Sequence, residues 1–433
     1  MGTKFRLIIM NFLQFGVWGA YLTSMGSYLV QVNMGSNIGL FYAMQGIVSV
    51  FMPGLIGIIA DRWISAQKML GISHGLSALF MIAAGYYGYT VGSAAQFSVL
   101  FSLYALSVTF YMPTIALSNS VAYAVLGKHN LDPVKHFPPI RVFGTVGFIC
   151  AMLITNFLTF GGKSMQILPH QFIFSGILGL LLGLYAFTLP HIETDRSQGN
   201  KGLVNALGLR AFTLFKEKKM ALFFLFSMLL GVSLQITNGF ANPFITSFKA
   251  IPEFADTYGA ANANALISLS QISETLCILL IPFFLRRFGI KKVMLLSMVA
   301  WILRFGLFGA GNPGSGVWMF ILSMIVYGIA FDFFNVSGSL FVNKETDQSI
   351  RSSAQGLFMM MTNGFGATIG TLGAQAVVSK LTHPVEFGGE MYTVGDWSTV
   401  WYIFAGYALI VAVLFAVIFK YKHHPEAIEA ISH

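Results

Sequence analysis

The sequence predicts an all-α integral membrane protein, with twelve transmembrane helices in two six-helix bundles. Three observations carry that expectation. Of 433 residues, 56% are apolar and only 9% are charged, whereas charged residues make up about a quarter of an ordinary soluble chain. Apolar runs of about 20 residues, enough to cross a hydrocarbon core about 30 Å thick, recur along the whole chain. Basic residues gather at every second connection between the runs, as expected of a multi-pass topology.

In order, the first six runs cover about 7–31, 37–60, 69–91, 97–126, 137–160 and 170–189. The second six cover about 220–248, 262–285, 292–311, 316–342, 352–378 and 399–420. The first run begins at Phe5 without a small-residue cleavage pattern, so it reads as a retained span and not as a signal peptide. The 45 glycines suit close helix contacts in lipid. The one long polar connection, from Pro190 to Lys219, separates an N-terminal bundle (1–189) from a C-terminal bundle with a short tail (220–433). Within this linker (190–219), Leu203, Leu207, Ala211 and Leu214 recur near helical spacing and predict a short interfacial helix over 202–215. Two halves with equal span counts point to a duplicated bundle with a site between the halves near the midplane.

The formal charge of +9 is a topology signal. Lys4, Arg6, Arg62, Lys68, Lys128, Lys135, Lys216, Lys218, Lys219, Arg286, Arg287, Lys291, Lys292, Lys344, Arg351, Lys420 and Lys422 fall at alternate connections or at the termini. The opposite connections carry only Lys163, Lys249 and Lys380, which puts both termini in the cytoplasm. A nucleic-acid surface is not expected. Cys150 and Cys277 lie inside runs and read as small packing residues, with no disulfide framework.

Two acids break the apolar pattern. Glu274 is the only charge in 266–285, and Asp332 the only one in 317–342. An ionised carboxylate at membrane depth costs about 2.5–3.5 kcal/mol on insertion scales, so such a residue normally faces a polar cavity, a partner or a proton path. Run seven carries Gln235 and Asn238, spaced i,i+3 and so on one helical face. Run eight carries Gln271 and Glu274 at the same spacing, and run ten carries Tyr327, Phe331 and Asp332, with Asn335 a turn further. A lone amide in a span is ordinarily interhelical glue worth about 0.6–2 kcal/mol. Three polar faces in one half, two with a carboxylate, favour a cavity.

Arg141 has two readings. If its helix starts at Pro133, after a capping Asp132, Arg141 is the ninth residue and deep enough to partner Asp332 or Glu274. If the helix starts at Pro138 or Pro139, Arg141 lies in the first turn and anchors the cytoplasmic interface. Arg304 reads as structural, outside the site, and His74 as a packed, hydrogen-bonded ring. Amides and carboxylates suit a hydroxyl-rich ligand, while Phe148, Tyr327 and Phe331 offer flat faces for a planar ring. A sugar joined to an aromatic base satisfies both, and a plain sugar is the close competitor.

The join after run two, Gly57-Ile-Ile-Ala-Asp61-Arg62, resembles the Gly-x-x-x-Asp-Arg gating signature of the major facilitator superfamily. Its counterpart in the second half keeps Arg286, Arg287, Lys291 and Lys292 but lacks the acid, so a cytoplasmic lock is argued only for the first half. Residues 12–29 (FLQFGVWGAYLTSMGSYL), 138–148 (PPIRVFGTVGF), 270–285 (SQISETLCILLIPFFL) and 323–338 (SMIVYGIAFDFFNVSG) resemble the nucleoside permease branch, the bacterial nucleoside–proton symporters. So do 227–238, 297–308 and 351–366; the likeness spans nearly the whole chain and is weaker near 249–262 and 380–398.

The resemblance implies a major facilitator fold that imports nucleosides such as uridine or adenosine with protons by alternating access. It implies substrate contacts from Arg141, Thr145, Phe148, Gln235, Asn238, Gln271, Glu274, Tyr327, Phe331 and Asp332, with Glu274, Asp332 and Arg141 in proton coupling. It further implies a monomer in the bacterial cytoplasmic membrane, driven by the proton gradient without a cofactor. A sugar or drug transporter of the same fold is the alternative. An enzyme is not expected, because the sequence offers no metal-type His/Asp cluster, no nucleophile with a base and no globular catalytic domain.

Overall fold

Inside a bilayer the backbone finds no water, so each apolar run must satisfy its own hydrogen bonds, and helices do this. The computed structural model describes residues 2–193, 209–347 and 350–422; within its helices the side chains of Ile58, Asp61, Arg62, Val134, Leu209, Arg351 and Ser352 lie outside the described ones. The chain divides into two compact units, Met1–Leu207 and Gly208–His433.

The first unit holds α1 (Thr3–Gly19), α2 (Met25–Gln31), α3 (Ile38–Arg62), α4 (Ala66–Val91), α5 (Phe97–Lys128), α6 (Pro133–Phe157) and α7 (His170–Ala186). The second holds α8 (Lys218–Leu234), α9 (Ile236–Ser247), α10 (Tyr258–Ala261), α11 (Ala263–Ile278) and α12 (Ile281–Ala310). It continues with α13 (Val317–Glu345), α14 (Arg351–Met359), α15 (Ala367–Leu381) and α16 (Trp397–Ile418).

Among the described residues, eight helical stretches are long and apolar enough by themselves to cross a membrane. The four remaining predicted runs are helical but short or interrupted. Run one is α1 and α2, broken over residues 20–24. Run six is the 17-residue α7. Run eight is the 16-residue α11 followed by the first turns of α12, which bend at Gly289, where φ is 79°. Glycine adopts that angle without a Cβ penalty. Run eleven is α14, a π-helical segment (Met360–Gly366) and α15. Pro53, Pro113, Pro138, Pro139 and Pro243 all lie inside helices, as neighbouring helices and local adjustments permit in spans.

In the first unit α1 lies against α6 and α7, and α4 against α5 and α7. The α1–α6 crossing depends on glycine. A Cβ on Gly147 would stand on the Phe12 carbonyl, and one on Gly19 on the Phe148 backbone. Gly147→Ala is therefore expected to cost about 1–3 kcal/mol, the usual range for overpacking, and to displace the helix that carries Arg141 and Phe148. A lower unfolding temperature in detergent is the result to look for; an unchanged value would mean the helices separate freely. In the second unit α12 lies against α13 and α16, and α11 against α13. A Cβ on Gly328 would come within 2.6 Å of the Ser273 carbonyl, so this glycine sets how closely α11 and α13 approach.

Two hairpins join spans, β1 (Thr159–Phe160) with β2 (Lys163–Ser164) and β3 (Thr382–Phe387) with β4 (Glu390–Gly395). Each turns through a Gly-Gly pair at positive φ, the two-residue geometry that matches strand twist. Asp396, after β4, caps α16: its carboxylate accepts from the Thr399 backbone N–H at 3.0 Å and the Thr399 hydroxyl at 2.6 Å. Those bonds hold its pKa below the ordinary Asp value. The cap's contribution is thus present above the ordinary Asp pKa and fades as pH falls through the lowered one. Asp396→Ala should lower the unfolding temperature at neutral pH, and the difference from the parent should shrink in acid.

The predicted interfacial helix over 202–215 is only partly testable, since residues 202–208 lie outside the described ones. Leu209–Lys216 forms a 3-10 helix with Ala211 and Leu214 buried, lying against α14. Phe212 and Phe215 of the same segment stay exposed.

Candidate functional site

Of the gating signature, Gly57 lies within α3 in open surroundings; the side chains of Asp61 and Arg62, at the end of α3, lie outside the described ones.

The helix carrying Arg141 starts at Pro133, so Arg141 is its ninth residue, which settles where the helix begins in favour of the earlier start. The His136 N–H donates to the Asp132 carbonyl at 3.0 Å, which begins the helix before both internal prolines. The Arg141 guanidinium lies 3.7 Å from the centre of the Phe15 ring on α1. Thr145 follows one turn on and is half-buried, and Phe148 is buried with its ring edge-to-face to Trp18 at 6.4 Å and 84°. Trp18 is itself fixed: its indole N–H donates to Gln45 at 3.2 Å, and the Gln45 amide donates to the Tyr104 hydroxyl at 2.8 Å.

Behind this aromatic group Gln14 ties three helices. Its amide nitrogen donates to Thr114 Oγ1 at 2.8 Å, and its oxygen meets His74 Nε2 at 2.7 Å. With that nitrogen donating, the oxygen accepts and His74 carries its proton on Nε2. His74 is fully buried and its Nδ1 has no hydrogen-bond partner. The ring is packed and hydrogen-bonded, as the sequence predicts.

In the second unit, the polar face of run seven is made by a break and not by a continuous helix. Gln235 stands between α8 and α9, and the Asn238 amide donates to its side-chain oxygen at 2.7 Å. Both are half-buried. Gln271 and Glu274 are half-buried on the unbroken α11. Tyr327 and Asp332 are buried on α13, and the Tyr327 and Phe331 rings stack at 5.6 Å with 18° between planes. Gln271 hydrogen-bonds the Tyr327 hydroxyl, and the charges of Glu274, Arg304 and Asp332 all act on it. Asp332 also acts on Cys277, which is buried and unoxidised. One tyrosine thus gathers the amide and both acids that the sequence singles out in separate helices.

Arg304, which the sequence reads as structural and outside the site, packs beside this group. Its guanidinium carbon lies 4.5 Å from the centre of the Tyr327 ring. Sequence reasoning missed Phe15, Trp18 and Gln14; their signal was an amide and two aromatics within one turn of helix, inside the 12–29 segment. No group of three His, Cys, Asp or Glu side chains able to hold a metal gathers among the described residues.

Helical spans in two units, with carboxylates and amides buried inside them, define a multi-pass membrane transporter of the major facilitator fold. The chain belongs to the nucleoside H+ symporter family, whose sequence model matches residues 1–424. It is 47% identical over 438 residues to the xanthosine permease of Escherichia coli and 46% identical over 441 residues to that organism's nucleoside permease NupG, covering 100% of each chain. Its structure resembles a crystal structure of nucleoside transporter NupG, with a TM-score of 0.85 at 45% identity over 98% of this chain and 100% of that one. A D-xylose-proton symporter matches with a TM-score of 0.68 at 13% identity over 96% of this chain and 97% of that one, which bears on the fold alone.

Proposed function

We propose that the chain carries nucleosides such as uridine or adenosine into the cell with protons, by alternating access. It acts as a monomer in the bacterial cytoplasmic membrane with both termini on the cytoplasmic side. The observation that carries the substrate reading is the stacked Tyr327–Phe331 pair set beside an amide and two carboxylates. Flat aromatic faces take a base, and carboxylates and amides take ribose hydroxyls. Substrate contacts come from Arg141, Thr145 and Phe148 in the first unit, and from Gln235, Asn238, Gln271, Glu274, Tyr327, Phe331 and Asp332 in the second. Glu274, Asp332 and Arg141 couple the proton, and Gly57, Asp61 and Arg62 form a cytoplasmic gate. Transport draws on the proton gradient and uses no cofactor.

Competition against labelled uridine tests the substrate class. Unlabelled adenosine and cytidine should reduce uptake, while free uracil, ribose and xylose should not. Competition by the sugars without competition by nucleosides would replace this reading with that of a sugar transporter.

A further inference from the structure

We propose that Arg304 is a positioning residue for the nucleoside base: it braces the buried face of Tyr327 and so fixes the aromatic surface that Tyr327 and Phe331 present. The proposal rests on the substrate reading above and adds a residue to it.

A guanidinium in the middle of an apolar span is costly unless its donors are met. Arg304 is only 2% exposed. Its hydrogen bonds all go to uncharged atoms. Nη1 donates to the Ser323 carbonyl at 2.8 Å and reaches Ser270 Oγ at 3.4 Å and Met324 Sδ at 3.9 Å. The Ser323 hydroxyl donates back to the Arg304 carbonyl at 2.9 Å. These bonds tie α12 to α13 and α11, and the guanidinium carbon lies over the Tyr327 ring, 4.5 Å from its centre, and 5.2 Å from the centre of the Phe308 ring.

If Arg304 served only to join helices, its hydrogen bond to the Ser323 carbonyl would suffice, and a lysine could supply it. The contact with Tyr327 calls for something else. A planar, weakly hydrated cation can spread over a ring as a compact ammonium cannot. Trp301 meets the same ring edge-on at 6.0 Å and 90°, and Phe331 stacks on it. With Gln271 on the hydroxyl, the ring is held at its face, its edge and its tip. Freed of Arg304, Tyr327 can tilt and spoil its stacking with Phe331.

A double-substitution cycle in proteoliposomes tests this, with KM and Vmax for uridine normalised to folded transporter. Arg304→Gln should raise KM about tenfold, the scale of a desolvated cation–π contact, with Vmax changed less than about twofold. Arg304→Lys should keep the fold and still raise KM, so the cycle survives if the glutamine variant fails to fold. In a Tyr327→Ala background either substitution should change KM by less than about twofold, because the ring through which Arg304 acts is gone. If the two effects multiply in full, or if only Vmax falls, Arg304 does not act through Tyr327 and the proposal is overturned. If Tyr327→Ala alone leaves KM unchanged, the reading of the substrate site fails first and takes the role of Arg304 with it.

Discussion

Asp332→Asn and Glu274→Gln should each abolish accumulation of labelled uridine against its gradient, while at least one of them still exchanges nucleoside across vesicles without a gradient. The expectation follows from where the acids lie. Asp332 is buried on α13 and Glu274 half-buried on α11, both acting on the Tyr327 hydroxyl. A carrier of protons must take one up and release it near neutral pH, which a carboxylate can do and its amide cannot. One proton moving inward down 100 mV supplies about 2.3 kcal/mol, and about 1.36 kcal/mol is a tenfold ratio, so one proton supports roughly fifty-fold accumulation. An amide removes that drive but keeps hydrogen-bonding atoms for substrate, so exchange outlives concentration. If both variants still accumulate uridine and still collapse with a protonophore, neither acid carries the proton.

Gln271→Ala should weaken uridine binding by about 1–3 kcal/mol, the cost of leaving a buried polar partner unsatisfied. Gln271 holds the Tyr327 hydroxyl, so its loss should disturb both the proposed substrate contact and the ring beside it. Gln235→Ala should act similarly through Asn238, whose amide donates to Gln235. Calorimetry in detergent reads both. Unchanged affinity in the two variants together would remove runs seven and eight from the substrate site.

The spans were legible because lipid imposes a simple rule: about 20 apolar residues, with charges kept at the ends. Glu274 and Asp332 stood out as violations of it. Breaks in the helices were not legible. Residues 20–24 and Gln235 carry no proline or adjacent glycine pair to announce them, while Pro53, Pro113 and Pro243 sit inside helices that continue. Tertiary packing decides these cases. Tyr327 and Phe331 could be placed together because four residues span one helical turn. Arg304 could not, since its meaning lies in Ser323 and Tyr327 on the next helix, and spacing along α12 says nothing about them. The start of α6 at Pro133 likewise had to be seen, because two later prolines offered an equally good start.

The most direct measurement is uptake by purified transporter in proteoliposomes carrying an imposed inward proton gradient. Labelled uridine should rise above its external concentration, fall back when a protonophore is added, and fail to rise when the gradient is reversed. Uridine that only equilibrates, whatever the gradient, would contradict proton-coupled nucleoside import.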